Sequence, residues 1–253
     1  MPKPPFSRQG NKMPIMETIL ALIPKHKLYV EPFVGSGAVF FNKDEVPSIL
    51  NDLDNKTING LKLIKRVNVK KLCNKNLEDF DTIEKITDFY FNKKISTIED
   101  KLIHHKIYGS NGFSGRPVTK IIYRASNPLK ICNNIEIYKQ KLQNATLLNE
   151  DYKKVISQYD SKDTFFFLDP PYENTSSSFG YAEGSNTFNF EELRQICDAI
   201  KGTFMLTLNN SPYIRKLFKG YNIKKINVPN TWSYKMPNLK KYRKELIIMN
   251  YKF

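Results

Sequence analysis

A chain of 253 residues carrying a formal charge of +15 is long enough for one large domain, or one domain with a sizeable insertion, around a real hydrophobic core. Its three cysteines, Cys73, Cys132 and Cys197, are odd in number, far apart and free of any CxxC pair, which argues against both a disulfide framework and a cysteine zinc site and for a reducing, intracellular setting. The start, MPKPPFSRQGNK, lacks the apolar core of a signal peptide, and no apolar run reaches the length of a membrane span.

In chain order, residues 1–12 are rich in Pro and Lys and read as extended. Met13 to Ile23 has helical spacing in Ile15, Ile19, Leu22 and Ile23 and stops at Pro24. KLYVEPF (27–33) reads as a short strand, GSGAVFFN (35–42) as a turn that opens a helix, SILNDLD (48–54) as a strand ending in acids, and NKTINGLKLIK (55–65) as a helix. Residues 66–142 read as mainly helical and polar, broken by GSNGFSGRPV at 109–118. NATLLNEDY (144–152) is a strand ending in acids. TFFFLDPPY (164–172) is a strand whose unbroken apolar run indicates burial on both faces. An amphipathic helix, FNFEELRQICDAI (188–200), a strand, GTFMLTLNN (202–210), and a short helix, SPYIRKLF (211–218), follow. KKINVPN (224–230) and KELIIMNYKF (244–253) close the chain as a β-hairpin pair. Strands alternating with helices imply an α/β fold with a mostly parallel sheet. The stretch 66–142 breaks that rhythm and reads as a subdomain inserted between two parts of one sheet.

Charge is unevenly spread. Residues 102–148 carry a net +6 and residues 213–253 a net +10, whereas residues 149–212 carry a net −5. Two basic blocks flanking an acidic one point to a polyanion partner, most simply nucleic acid.

In EPFVGSGAVFF (31–41), Gly35-Ser36-Gly37 lies between a strand and a helix start, where glycines let backbone approach a ligand and the helix offers free N–H groups. No Gly-Lys-Ser/Thr follows, so it is not a phosphate-binding Walker loop. Taken alone, such a turn is also compatible with ordinary strand–helix geometry. Asp52 adds weight: it ends the second strand, 17 residues after Gly35, where α/β nucleotide sites present an acid to ribose hydroxyls, and Asp54 is available to cap the next helix instead. Together these features indicate an adenosine-containing cofactor.

FLDPPY (167–172) then places a carboxylate at the carboxyl end of a buried strand, in the same crevice. Pro170 has no N–H to donate, and two prolines stiffen the turn. The Asp169 carboxylate and the Pro170 carbonyl make two acceptors at a set distance, and Tyr172 adds a flat stacking face. That combination suits a planar group with an exocyclic amine, a nucleobase.

These residues resemble the Dam-like, D12 class of adenine-N6 DNA methyltransferases, and the resemblance spans nearly the whole chain in order. RQGNK (8–12) resembles the family's N-terminal lysine motif, VEPFVGSGAVFFN (30–42) its cofactor loop, NDLD (51–54) its ribose-binding acid, NEDY (149–152) the acid before its catalytic strand, and DPPY (169–172) its catalytic motif. The resemblance implies a Rossmann-like methyltransferase fold, with a catalytic domain over 1–62 and 143–253 and an inserted, mainly helical DNA-recognition subdomain over 63–142. It implies S-adenosylmethionine as cofactor, contacted by Arg8, Lys12, Asp52 and Asp169, with Gly10, Glu31, Pro32, Phe33, Gly35, Ser36, Gly37, Asp151 and Tyr152 as further candidates. Asp169, Pro170, Pro171 and Tyr172 are the catalytic candidates, and no metal is expected. Asn111, Ser114, Arg116, Lys120, Arg124 and Lys130 are candidates for contacting DNA. The implied reaction is methylation of the N6 amine of a flipped adenine in double-stranded DNA. Cytosine N4, adenine in RNA, and a non-catalytic DNA-binding role on the same fold are the alternatives. The implied partners are DNA, a cognate restriction endonuclease where one accompanies the enzyme, and no membrane; a monomer is expected.

There are departures. Arg8 and Gln9 stand where the lysine motif often has an aromatic residue, and NGFSGRPVTKIIYR followed by ASNPLKICNN replaces the usual recognition pattern, so no target sequence carries over. His104 and His105 read as exposed helix residues. Trp232 is suited equally to base stacking and to packing, and KKYRK (240–244) reads as a phosphate contact.

Overall fold

A computed structural model describes residues 1–6, 10–111, 127–173, 188–229 and 241–252, with the side chains of Ser110 and Asn111 left aside. Its centre is a seven-stranded sheet in the order β3-β2-β1-β4-β5-β7-β6. The strands are β1 (Leu28–Glu31), β2 (Ser48–Asn51), β3 (Ala145–Leu148), β4 (Thr164–Leu168), β5 (Thr203–Asn209), β6 (Asn222–Pro229) and β7 (Tyr242–Met249). The first five run parallel, and β7 is inserted antiparallel between β5 and β6. This is the Rossmann-like α/β fold expected from the alternation of strands and helices. The TFFFL run of β4 is buried at every position, as its pattern requires for a central strand covered on both faces.

The period of two sorts the strand side chains into two cores. Tyr29, Leu50, Phe165, Phe167, Met205 and Ile247 face one side. There they meet α1 (Met16–Leu22), α2 (Ala38–Asn42) and α3 (Asn55–Arg66) through residues such as Met16, Phe41 and Leu61. Val30, Ile49, Phe166, Leu168, Phe204 and Ile248 face the other side. These meet α8 (Tyr152–Tyr159), α9 (Phe190–Ala199) and α10 (Pro212–Leu217) through Val155, Leu193 and Ile214. The helix α8 is absent from the sequence reading, which ran the preceding strand on through Tyr152; Asp151 instead caps the new helix, accepting from Lys153 N–H at 2.8 Å.

Between α3 and β3 lie α4 (Val69–Cys73), α5 (Ile83–Phe91), α6 (Ile98–Asn111) and α7 (Ile135–Gln143), with a 3-10 segment at Pro128–Asn133. Their buried residues, among them Leu72, Phe89, Leu102, Ile131 and Leu142, join the first core, so these helices pack continuously onto that face. The N-terminal arm is pinned between them and α2: Asn42 donates to Pro2 O at 3.0 Å, and Tyr138 and Lys106 donate to Lys3 O and Pro5 O. Gly60 leaves the room that Phe6 and His105 occupy, since a Cβ there would lie 2.8 Å from the Phe6 ring.

Two expectations are corrected here. Cys73 and Cys132 are joined by a disulfide across 59 residues, because α4 and the 3-10 segment pack side by side and bring their Cα atoms to 5.8 Å; separation along the chain is no guide to distance in a helical cluster. The histidines of α6 are not exposed. His104 stacks on Tyr90 at 4.1 Å between ring centroids. His105 packs edge-on against Phe6, and burial holds its imidazole down to about 4. No helix among the described residues is long and apolar enough to cross a membrane.

Candidate active site

The order of the strands leaves β1 between β2 and β4, so the connections from β1 and β4 depart in opposite directions and open a crevice at their carboxyl ends. Two loops line it, residues 32–37 after β1 and residues 169–173 after β4.

The first loop is fixed by its backbone. Val34 N–H donates to Asn51 O at 2.8 Å and Gly37 N–H to Val34 O at 2.7 Å. Gly35 and Gly37 have φ of 51° and 69°, the left-handed region that glycine enters without strain. Asp52, buried, accepts from Gly35 N–H at 2.8 Å and from Asp54 N–H at 3.0 Å, and so holds the glycine loop. Asp54 caps α3, as the sequence allowed. Asn51 was not anticipated. Its side-chain amide donates to Pro32 O and Glu150 O, both at 3.0 Å, and its carbonyl accepts from Glu150 N–H at 2.9 Å, stitching together the loops after β1, β2 and β3. Phe33 packs on Tyr152 with 5.0 Å between centroids and on Phe188 with 6.0 Å. Ser36 is buried.

Glu31, at the end of β1, is buried and accepts from the Tyr29 hydroxyl at 2.8 Å. Burial pushes its carboxyl up to about 8, with the nearby Asp169 charge adding to the rise and the Tyr29 hydrogen bond opposing it.

The second loop is fixed by its side chains, since two successive prolines remove the backbone donors. Asp169 forms an ion pair with Lys12 at 2.7 Å through Oδ2 and accepts from the Thr207 hydroxyl at 2.7 Å through Oδ1. Lys12 is 5% exposed, lies 5.1 Å from the centroid of Tyr172 and also donates to Gly10 O at 2.8 Å. It reaches the crevice because the 3-10 turn Met13–Ile15 starts directly after it. The Tyr172 hydroxyl donates to Glu245 Oε2 at 2.7 Å, and Glu173 N–H donates to Asn209 Oδ1 at 3.0 Å. Burial pushes the Tyr172 hydroxyl well above its ordinary value, and the charges of Asp169 and Glu245 push it further, so it stays a donor. Pro170 is buried and Pro171 half-buried.

Sequence reasoning therefore placed Lys12, Glu31, Pro32, Phe33, Gly35, Asp52, Tyr152, Asp169 and Tyr172 in one neighbourhood, and the structure brings them there. Asp151 serves as a helix cap and is exposed. Arg8, Ser114, Arg116, Lys120, Arg124 and Trp232 lie outside the described residues, and Asn111 ends α6. Lys130 is exposed on the 3-10 segment. Of the KKYRK run, Lys241, Tyr242, Arg243 and Lys244 are exposed where β7 begins, at the crevice end of β5. Thr207 and Glu245 were missed. The only sign of them is a polar residue inside otherwise apolar strands, LTL and KELIIM, which turns into a site residue once the register is known.

Comparison with known proteins shows the family. Residues 9–231 match the family described as D12 class N6 adenine-specific DNA methyltransferase. The chain belongs to that family and is a DNA adenine methyltransferase. Similar proteins include the type II methyltransferase M1.LlaDCHI of Lactococcus lactis subsp. cremoris, 27% identical over 98% of this chain and 95% of that one. The type II methyltransferase M.MjaIII of Methanocaldococcus jannaschii is 27% identical over 98% of this chain and 99% of its own length. The DNA adenine methylase of Salmonella typhi is 25% identical over 75% of this chain and 72% of its own.

Proposed function

We propose that the enzyme uses S-adenosylmethionine to methylate the N6 amine of an adenine extruded from double-stranded DNA. The observation that carries this reading is Asp169, held through both oxygens beside Tyr172, in a crevice it shares with the glycine loop and Asp52. The residues present fit the cofactor. Asp52 lies at a strand end with both oxygens turned to backbone N–H groups of the loop region, and a carboxylate's lone pairs leave capacity for ribose hydroxyls. Asp52 and Asp169 give an acidic setting suited to a cationic ligand. Phe33 and Tyr152 offer ring faces, Gly10 lies beside Lys12, which donates to its carbonyl, and Arg8 stays a cofactor-contact candidate by resemblance alone. When bound, the cofactor supplies a methyl group on a positively charged sulfur.

The protein's own part is to make a poor nucleophile available. An adenine amine lone pair is delocalised into the ring, and extruding the base from the duplex costs a few kcal/mol. Tyr172 replaces the lost stacking. Asp169 and the Pro170 carbonyl accept from the amine and favour its pyramidal form as charge develops, while Pro171 keeps that geometry stiff. Lys12 and Thr207 hold Asp169 in one orientation, so proximity does much of the work.

Residues 63–142 act in this proposal as the target-recognition part, with Asn111, Ser114, Arg116, Lys120, Arg124 and Lys130 against DNA and the exposed start of β7 on phosphates. Two relatives are named type II methyltransferases, and a modification role in an intracellular setting belongs to the same reading. The test is calorimetry of S-adenosylmethionine binding, followed by labelled methyl transfer to duplex DNA, single-stranded DNA and RNA with the products separated as nucleosides. N6-methyladenine in duplex DNA is the expected product; label in cytosine, or confined to RNA, overturns the proposal.

A further inference from the structure

Glu245 is a carboxylate in the middle of a sheet. β7 is exposed up to Lys244 and buried from Glu245 onward, and Glu245 itself is 3% exposed. It pairs with Asn209 on β5 and with Ile226 on β6, so both neighbouring strands flank it. An apolar residue would fill such a position without the desolvation cost that a buried charge carries. Among the described residues the carboxylate has two partners. Its Oε2 accepts from the Tyr172 hydroxyl at 2.7 Å, and its Oε1 lies 3.5 Å from Arg243 Nη2, two residues earlier on the same face of the strand. The neighbouring fasteners come from the adjacent strand β5: Thr207 holds Asp169 and Asn209 holds the N–H of Glu173.

We infer that Glu245 is a positioning residue for methyl transfer, fixing the plane of the Tyr172 ring through a charge-assisted hydrogen bond so that the extruded base is stacked at one orientation beside Asp169. The inference rests on the proposed stacking role of Tyr172 and adds the reason for a tyrosine there. A phenylalanine offers the same face but has no atom for the sheet to hold. Arg243 balances the buried charge and connects it to the exposed basic start of β7, with Lys244 in the strand and Lys241 just before it.

The test compares Tyr172→Ala, Tyr172→Phe, Glu245→Gln, Glu245→Ala and the double variant Tyr172→Phe/Glu245→Ala. Each is scored by melting temperature and by single-turnover methyl transfer at saturating S-adenosylmethionine and DNA, corrected to the folded fraction. Glu245→Gln keeps an acceptor of the same size and is expected to stay within about threefold of the parent rate. Tyr172→Phe and Glu245→Ala should each lose about tenfold or more, the scale of one hydrogen bond to a charged group. The double variant should be no slower than the slower single variant, because both remove the same hydrogen bond. Losses that multiply in the double variant overturn the inference, since Glu245 would then act elsewhere. Parental rates in both Tyr172→Phe and Glu245→Ala alongside a slow Tyr172→Ala also overturn it, while the stacking reading survives. A parental rate in Tyr172→Ala removes both. Should Glu245→Ala not fold, Tyr172→Phe decides alone: a tenfold loss supports the anchor and an unchanged rate overturns it.

Discussion

The two loops of the crevice follow adjacent strands and face each other, yet they are built in opposite ways. Residues 32–37 are held by main-chain groups: Val34 and Gly35 donate their N–H groups, and Pro32 lends its carbonyl to Asn51. Residues 169–173 are held by side chains: Asp169 by Lys12 and Thr207, Tyr172 by Glu245. A loop that must let a ligand close to its backbone is small where it does so, here at Gly35, Ser36 and Gly37. A loop that must present a carboxylate and a ring at set angles has those groups clamped from outside and gives up its own donors to proline.

That contrast can be broken in order of effect. Asp169→Ala should cut methyl transfer by at least about 10²-fold while the fold survives, measured as a single-turnover rate beside a melting curve. Gly37→Ala attacks the backbone-built loop. A Cβ at φ 69° would lie 2.8 Å from the buried Phe41 ring, so left-handed strain and overpacking together should cost about 2–4 kcal/mol by denaturant titration.

Glu31→Gln probes the floor between the loops. The carboxyl sits at about 8 in the folded chain against 4.5 when unperturbed, so the stability tied to its neutral form is complete below about pH 4.5 and is lost as pH rises to 8. His105, held near 4, acts only below its ordinary 6.5, and Lys43, brought down to about 8 by burial, acts only above that value. Between pH 6.5 and 8 the cofactor-free parent should therefore lose about 1–2 kcal/mol of stability that Glu31→Gln does not lose. Thr207→Val, which removes a donor from the Asp169 carboxylate at nearly constant volume, should slow transfer by about tenfold, the scale of one hydrogen bond to a charged group. The smallest change is in salt dependence: neutralising Arg116, Lys120 and Arg124 should flatten the slope of log affinity for DNA by up to about one unit for each phosphate that is no longer neutralised.

The sequence made the backbone-built loop far easier to read than its side-chain-clamped neighbour. Glycines, a strand and an acid 17 positions later are local signals, and Gly35 to Asp52 is a direct hydrogen bond. DPPY itself was equally plain, as was the buried strand before it. Its supports were not: Thr207 and Glu245 are 38 and 73 residues away, and Thr207 reaches the loop through the pairing of β4 with β5, Glu245 through that of β5 with β7. The antiparallel β7 next to β5 puts Glu245 level with Asn209, a register that no periodicity in either strand encodes. The disulfide and the packed histidines of α6 were hidden for the same reason. Each depends on how helices that read as polar and separate fit together against the sheet.

The division of labour between the loops is tested most directly by comparing Asp52→Ala with Asp169→Ala in single-turnover methyl transfer at saturating cofactor, alongside each variant's cofactor affinity. Asp52→Ala should weaken S-adenosylmethionine binding by about 1.5–3 kcal/mol, yet transfer within about threefold of the parent rate once saturated. Asp169→Ala should remain at least about 10²-fold slow however much cofactor is supplied. Equal losses of the saturated rate in the two variants, or recovery of Asp169→Ala at high cofactor, would contradict it.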